Sequence, residues 1–296
     1  MKLFPERVGV WAEPATQAWG PMDCSMYALA VGAGFSEPHF TLWRPHVPRQ
    51  SVVPSFPLTL VSADTNGRAD PLLGIGEFDE NTPIVLGEQQ LLLHRPVEPQ
   101  GVVAINVAIT GLYDKGKGAV VTIEARATDP EDGSAAFTAV MSMFIVGAGN
   151  FGGDRGPKRE PVEWPARPPD RRSTFASSPV QSLLYMHAGK DDHPIHIDTA
   201  AARAAGFDGP ILTGQNSLGI ACHAIVQELC PEKPEAVRSI SGHFANPAYN
   251  GDVLTTEMWK KRLPERGADI VVFRTVNQNG AVVIDGGRCE LDSNQS

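Results

Sequence analysis

The apolar positions of this chain fall into the same order twice, a helical segment and then a series of strands. Over 213–230, TGQNSLGIACHAIVQELC, apolar residues recur near helical spacing at Leu218, Ala221, Cys222, Ile225 and Leu229. Thr213 is a suitable N-cap for that helix, and Pro231 stops it. Strand-like runs follow: VRSISGHFANPAY, DVLTTEMWKK, ADIVVFRTV and GAVVIDGGRCEL, parted by turn pairs such as Asn250-Gly251 and Asn279-Gly280. In the first half MYALAVGAG predicts a short helix. PIVLGEQQLLLHRP, VVAINVAITGLYDKG, GAVVTIEARAT and AAFTAVMSMFIVG predict strands after it. Helix first and antiparallel strands after, twice over, predicts an α+β fold with a long sheet around a helix. The halves repeat an architecture rather than a visible motif.

Between them lies FGGDRGPKREPVEWPARPPD, Phe151 to Asp170, rich in Gly and Pro and without an apolar period. Proline removes backbone donors and fixes φ, so this stretch reads as an extended surface linker. The expected division is 1–150, a linker over 151–174, and 175–296. With 296 residues, 42% of them hydrophobic, a sizeable core is expected. The formal net charge of -9 argues against nucleic acid as the main partner. Cys24, Cys222, Cys230 and Cys289 show no CxxC spacing and read as buried thiols of a reducing compartment. No apolar run approaches the roughly 18 residues of a membrane helix. The start, MKLFPERVGV, has no signal-peptide core, and the last three residues, NQS, are not a peroxisomal address. A cytoplasmic protein without a membrane partner is expected.

The densest chemistry is HAGKDDHPIHID, His187 to Asp198, with three histidines and three acidic residues in twelve positions. A core strand would not carry that many ionisable groups. Three readings apply. His193, His196 and Asp191 have metal-ligand atoms, but the spacing is loose, no cysteine pair accompanies them, and Pro194 intervenes, so no metal is expected. A polar loop before a helix accounts for Asp198 as N-cap of TAAARAAG, without requiring Asp191 and the histidines together. The third reading is proton transfer, in which Asp191 and His196 face one another across a proline-bent loop around a water. Downstream, Gly214 falls at the predicted helix start, where free N–H groups and the positive dipole end can polarise a carbonyl oxygen.

YMHAGKDDHPIHIDTAAARAAGFDGPILTG resembles the signature of the (R)-specific 2-enoyl-CoA hydratases, the hydratase 2 branch of the MaoC-like hot-dog proteins. That signature runs Tyr-x-x-Ser-Gly-Asp-x-Asn-Pro-Leu-His, then a helix, then AGF-x-x-PILHG. LGEQQLLLHRP, YDKGKG and FIVGAGNFGG look like the amino-terminal half of the two-hot-dog members, and GHFANPAYNGDVLTTEMWK like the carboxy-terminal half. The resemblance covers most of 20–291. It implies two fused hot-dog domains, each a long helix wrapped by an antiparallel sheet, with the chemistry in the second. The family's catalytic aspartate falls on Asp191, its histidine on His196, its oxyanion-hole glycine on Gly214 and its substrate-contacting phenylalanine on Phe244. Its CoA contacts fall on Leu86, Gly87 and Lys115, and Asp192, Pro194 and Ile195 lie within the matched phrase. Three departures stand out: His193 replaces the water-holding asparagine, and Lys190 and Gly189 replace the glycine and serine before the aspartate. Leu86 and Thr213 stand where histidines are common.

The resemblance implies reversible hydration of a medium, long or bulky trans-2-enoyl-CoA to the (3R)-3-hydroxyacyl-CoA, without a cofactor, by a homodimer paired along its sheets. Asp191 would take the proton of a single water and His196 would protonate C2, with the reverse assignment open. Two alternatives stand beside it. One is a (3R)-hydroxyacyl dehydratase of lipid or polyketide synthesis. The other is a non-catalytic acyl-CoA binding protein, its dyad silenced at His193 and Lys190.

Overall fold

The computed structural model describes residues 2–42, 49–65, 74–78, 82–158, 162–263 and 267–292. Its strands are β1 (Lys2–Leu3), β2 (Ala15–Trp19), β3 (Gly76–Glu77), β4 (Ile84–Leu93), β5 (Gly101–Asp114), β6 (Gly118–Thr128), β7 (Ala135–Val146), β8 (Arg171–Ala176), β9 (Val237–Phe244), β10 (Val253–Leu263), β11 (Ala268–Val276) and β12 (Val282–Asp292). Its helices are α1 (Pro21–Ala30), α2 (Pro38–Thr41), α3 (Leu58–Thr65), α4 (Gln181–Gly189), α5 (Pro194–Ile197), α6 (Thr199–Ala204) and α7 (Gly214–Leu229).

Ten of the strands form one antiparallel sheet in the order β2-β5-β6-β7-β4-β9-β12-β11-β10-β8. The first five belong to the first half of the chain and the last five to the second. They meet where β4 pairs β9, with Glu88 opposite His243, Gln90 opposite Ser241 and Leu92 opposite Ser239. Where the sequence suggests one sheet per half, the two are therefore continuous. The pairing satisfies a row of backbone donors and acceptors that each half would otherwise leave at an edge.

The helices lie on one face of this sheet, and α7 is the central one. At 16 residues it is about 24 Å long. Every residue from Gln215 to Val226 is buried, so α7 is enclosed on all sides rather than amphipathic. Thr213 caps it as expected, its hydroxyl accepting the Asn216 N–H at 2.9 Å. The first-half helix is short, as its apolar pattern predicts, but it begins before the MYALAVGAG segment. It starts at Pro21, where proline suits the first turn and the Asp23 carboxylate accepts the Gly20 N–H at 2.8 Å. It ends after ten residues, so it is short, and α2 and α3 share its half of the core.

Two strands of the ten-stranded sheet escape the sequence reading. β2 and β8 are short, and β8 (RRSTFA) is half polar because only one face is covered. Pairing of β8 with β10 begins at Arg171, so the last residues of the expected linker, 171–174, belong to the sheet. The rest of the linker is irregular but anchored. Trp164 packs on Trp259 at 5.2 Å, and Trp259 Nε1 donates to the Arg167 carbonyl at 2.9 Å. Residues 159–161 lie outside the described residues.

Contacts from α7 and α4 tie the halves together behind the sheet. The Ala30 carbonyl at the end of α1 accepts from Asn216 Nδ2 at 2.9 Å and from Gln181 Nε2 at 2.6 Å. His223 meets Glu37 at 3.0 Å, and Gln227 donates to the other Glu37 oxygen at 2.9 Å. Gly219 allows the closest approach: a Cβ there would stand 2.6 Å from Val31 Cγ1 and 2.7 Å from the Tyr27 hydroxyl. Gly219→Val should therefore destabilise the protein despite its gain in helix propensity, by about 1–3 kcal/mol as overpacking does. A urea midpoint unchanged from wild type would contradict this packing.

Candidate active site

The histidine- and aspartate-rich loop begins where α4 ends. Gly189 is required there, since a Cβ would lie 2.5 Å from the buried Tyr185 ring. Lys190 follows in the left-handed region at φ +56°, its N–H donating to the Met186 carbonyl at 2.9 Å. This turn releases the chain into Asp191. The Asp191 carboxylate accepts the His193 N–H at 3.3 Å, which holds its side chain toward the turn. Pro194 then starts the single helical turn α5, where the sequence suggested only a bent loop. Asp198 closes that turn and caps α6, accepting the Ala201 N–H at 2.8 Å.

His196 is fixed from outside its own loop. Its Nδ1 donates to the Ile211 carbonyl at 2.9 Å. A carbonyl only accepts, so in the neutral ring Nδ1 carries the hydrogen and Nε2 the lone pair. The ring is held below the ordinary histidine range, first by burial and also by His193, while Asp191 and the Ile211 carbonyl act in the opposite sense. The His193 ring stands 6.0 Å away at 61°.

A cavity of about 360 Å³ opens where this loop, the start of α7, the start of β4 and the end of β9 converge. Asp191, His193, Ile195, His196, Gly214, Leu86 and Phe244, all expected site residues, line it. Gly214 is the first residue of α7, where an N–H has no intrahelical acceptor. The space above it is tight: a Cβ there would meet the Phe244 ring at 2.9 Å and Leu86 at 3.1 Å.

Four expected residues stand off the cavity wall. Gly87 follows Leu86 on β4, Asp192 is exposed, and Pro194 starts α5. Lys115 lies on the β5–β6 turn, over the Tyr113 ring at 5.7 Å and donating to the Arg155 carbonyl. Register places that turn at the cavity's end of the sheet, since Ala119 pairs Ile145 and Ile145 pairs Ile84.

The sequence reading missed Met141, Met143, Phe207, Gln215 and Ser217, which also line the cavity. Only Gln215 and Ser217 left a signal, as polar residues opening a helix of otherwise buried character. Among the described residues no group of three His, Cys, Asp or Glu side chains is placed to hold a metal ion. No helix among them is long and apolar enough to cross a membrane.

Comparison with known proteins matches residues 18–147 to the MFE-2 hydratase 2 N-terminal domain and residues 161–281 to the MaoC like domain. A probable enoyl-CoA hydratase 2 of Dictyostelium discoideum is 33% identical, over 90% of this chain and 88% of the relative. The 3-hydroxyacyl-thioester dehydratase Y of Mycobacterium tuberculosis is also 33% identical, over 98% of this chain and 99% of the relative. The crystal structure of a MaoC-like dehydratase from Phytophthora capsici superposes with a TM-score of 0.85 at 26% identity, covering 99% of this chain and 100% of that one.

The depressed His196 pKa gives a signed prediction. His196 should titrate by NMR below about 6.5, the value of a free histidine. His193→Asn should move it upward by removing one lowering contribution. As pH falls below about 6.5 the unfolded chain takes up a proton that folded His196 resists, so this group's contribution to stability is lost across that window. A His196 titration above the free value would contradict the geometry.

Proposed function

This chain belongs to the enoyl-CoA hydratase 2 family of MaoC-like double hot-dog proteins and is a hydro-lyase of fatty-acyl metabolism, and from that premise we propose that Asp191 and His196 together activate the single water it adds. The observation that carries the proposal is the fixed His196 tautomer, whose Nε2 lone pair shares one cavity with Asp191 and Gly214.

In this reading a trans-2-enoyl-CoA thioester places its carbonyl oxygen at the Gly214 N–H, where the α7 N-terminus draws electrons from C3. Asp191 accepts a hydrogen bond from one O–H of the water, whose hydrogen stays on the oxygen and becomes that of the product hydroxyl. His196 Nε2 takes the other as the oxygen bonds to C3. The electron pair of C2=C3 moves toward the thioester oxygen, and the resulting enolate is held at α7. The imidazolium then returns its proton to C2, so one water supplies the hydroxyl and the hydrogen on the same face. The product is the (3R)-3-hydroxyacyl-CoA, and the same groups run the dehydration in reverse.

The sequence reading favoured Asp191 as the base. A neutral, Nδ1-protonated His196 supports the opposite assignment, because a ring that resists protonation is a poor initial acid and a ready acceptor. The first half, 1–150, would hold acyl and CoA parts, and the second, 175–296, would carry the chemistry, with Lys115 on the near turn suited to an anionic CoA tail. The acyl group is medium, long or bulky, and activity confined to four-carbon thioesters would contradict that.

Asp191→Asn and His196→Gln should each lower kcat by about 10²–10⁴-fold, the span of general acid–base catalysis, with thermal unfolding near wild type. Activity of the wild type should persist below the ordinary histidine range and fall only as His196 protonates. Near-normal turnover in either variant would refute the dyad.

A further inference from the structure

We propose that Met141 is the floor of the cavity and sets the longest straight acyl chain the protein accepts. This inference rests on the hydratase reading and specifies its substrate class, narrowing the acyl group to one of medium length.

The direction in which an acyl chain would run follows from strand register. Leu86 stands beside Gly214, where the hydratase reading seats the thioester, and it pairs Met143 of β7. On one side of that pair Ile84 meets Ile145, and Ile145 pairs Ala119, next to the β5–β6 turn that carries Lys115. On the other side Gln89 pairs Met141. The CoA tail therefore leaves past Ile84, and the acyl chain runs along β7 from Met143 toward Met141. These two residues share a face of the strand and lie about 7 Å apart along it.

Burial rises in the same direction. Exposed Val85 and His193 line the mouth, half-buried Leu86 and Met143 line the middle, and buried Met141 lines the far end. Among the described residues of β4 and β7, none beyond Met141 lines the cavity. The next residue on the Met141 face of β7 is Ala139, fully buried and paired to Leu91 on β4 and Ala125 on β6. On α7 the lining ends at Ser217, and Leu218 after it is fully buried.

The contrast in size makes Met141 the limit. Beyond it the same face carries alanine on β7 and alanine on β6, so the thioether side chain is the bulk that closes this end. Methionine is unbranched and adapts its rotamer to what presses on it. Its volume stays at the end of the cavity all the same, because the space behind is packed core. A chain longer than the cavity would have to displace that core, which is costly. The cavity, about 360 Å³, lies near the lower end of the roughly 300–1,000 Å³ of small-molecule sites, as a closed floor requires.

The test is a series of straight-chain trans-2-enoyl-CoA thioesters from four to sixteen carbons. Wild-type kcat/KM should peak at a medium-length chain and fall at least about tenfold over the next two carbons, the lower end of what a misfitted methylene costs in a pocket. Met141→Ala should move that fall to longer chains, and Met141→Phe to shorter ones. Met141→Val, with a good strand former, replaces the alanine variant should that one fail to fold. A wild-type kcat/KM that peaks at four carbons, or that stays level or rises up to sixteen, overturns the inference. So does a fall that keeps its chain length in the enlarged or the narrowed variant. Turnover of none of the series by wild type would instead contradict the hydratase reading on which the inference rests.

Discussion

The first turn of α7 is the constraint on which the rest of the molecule depends. A helix start leaves backbone N–H groups without acceptors, and here the start is buried, so each residue of the turn has a fixed task. The Thr213 hydroxyl takes the Asn216 N–H. The Asn216 side chain reaches back to the last carbonyl of α1, and Gln215 reaches forward to Gln89 of β4. Gly214 lies on the cavity wall, under Phe244 and Leu86. One turn thus joins the two halves and, in the proposed mechanism, supplies the electrophilic end of the site.

Precision at the water site follows from the same anchoring. His196 owes its tautomer to the Ile211 carbonyl, and Ile211 lies two residues before the cap of α7. The next residue, Leu212, is tied by its N–H to the Ala248 carbonyl at 2.8 Å, just beyond Phe244. A shift of α7 would therefore move His196, Gly214 and Phe244 together. Such coupling keeps the proposed reacting groups in register.

Much of this was legible in the sequence wherever the cause was local. The helix over 213–230 shows in its period and its threonine cap. Long strands such as β6 show in their alternation, and the family phrase shows in the spacing of Asp191, Pro194 and His196. What was not legible depends on partners far along the chain. Nothing near Gly219 announces that Tyr27 and Val31 will press against it. The His196 tautomer needs a carbonyl 15 residues on, and the Gln215 side chain bonds Gln89 from 126 residues away. β8 was hidden for a different reason. Its two arginines read as linker, and only pairing with β10 makes them a strand edge, with Arg172 on Glu257 at 2.8 Å.

The central claim is that one water, held between Asp191 and His196, delivers both its oxygen and its proton to one face of the substrate. The most direct measurement is the stereochemical course of hydration in D₂O, with chiral analysis at C3 and the deuterium position at C2 read by NMR. The account predicts a (3R) alcohol with deuterium added to the same face as the hydroxyl. A (3S) product, or deuterium on the opposite face, would contradict it.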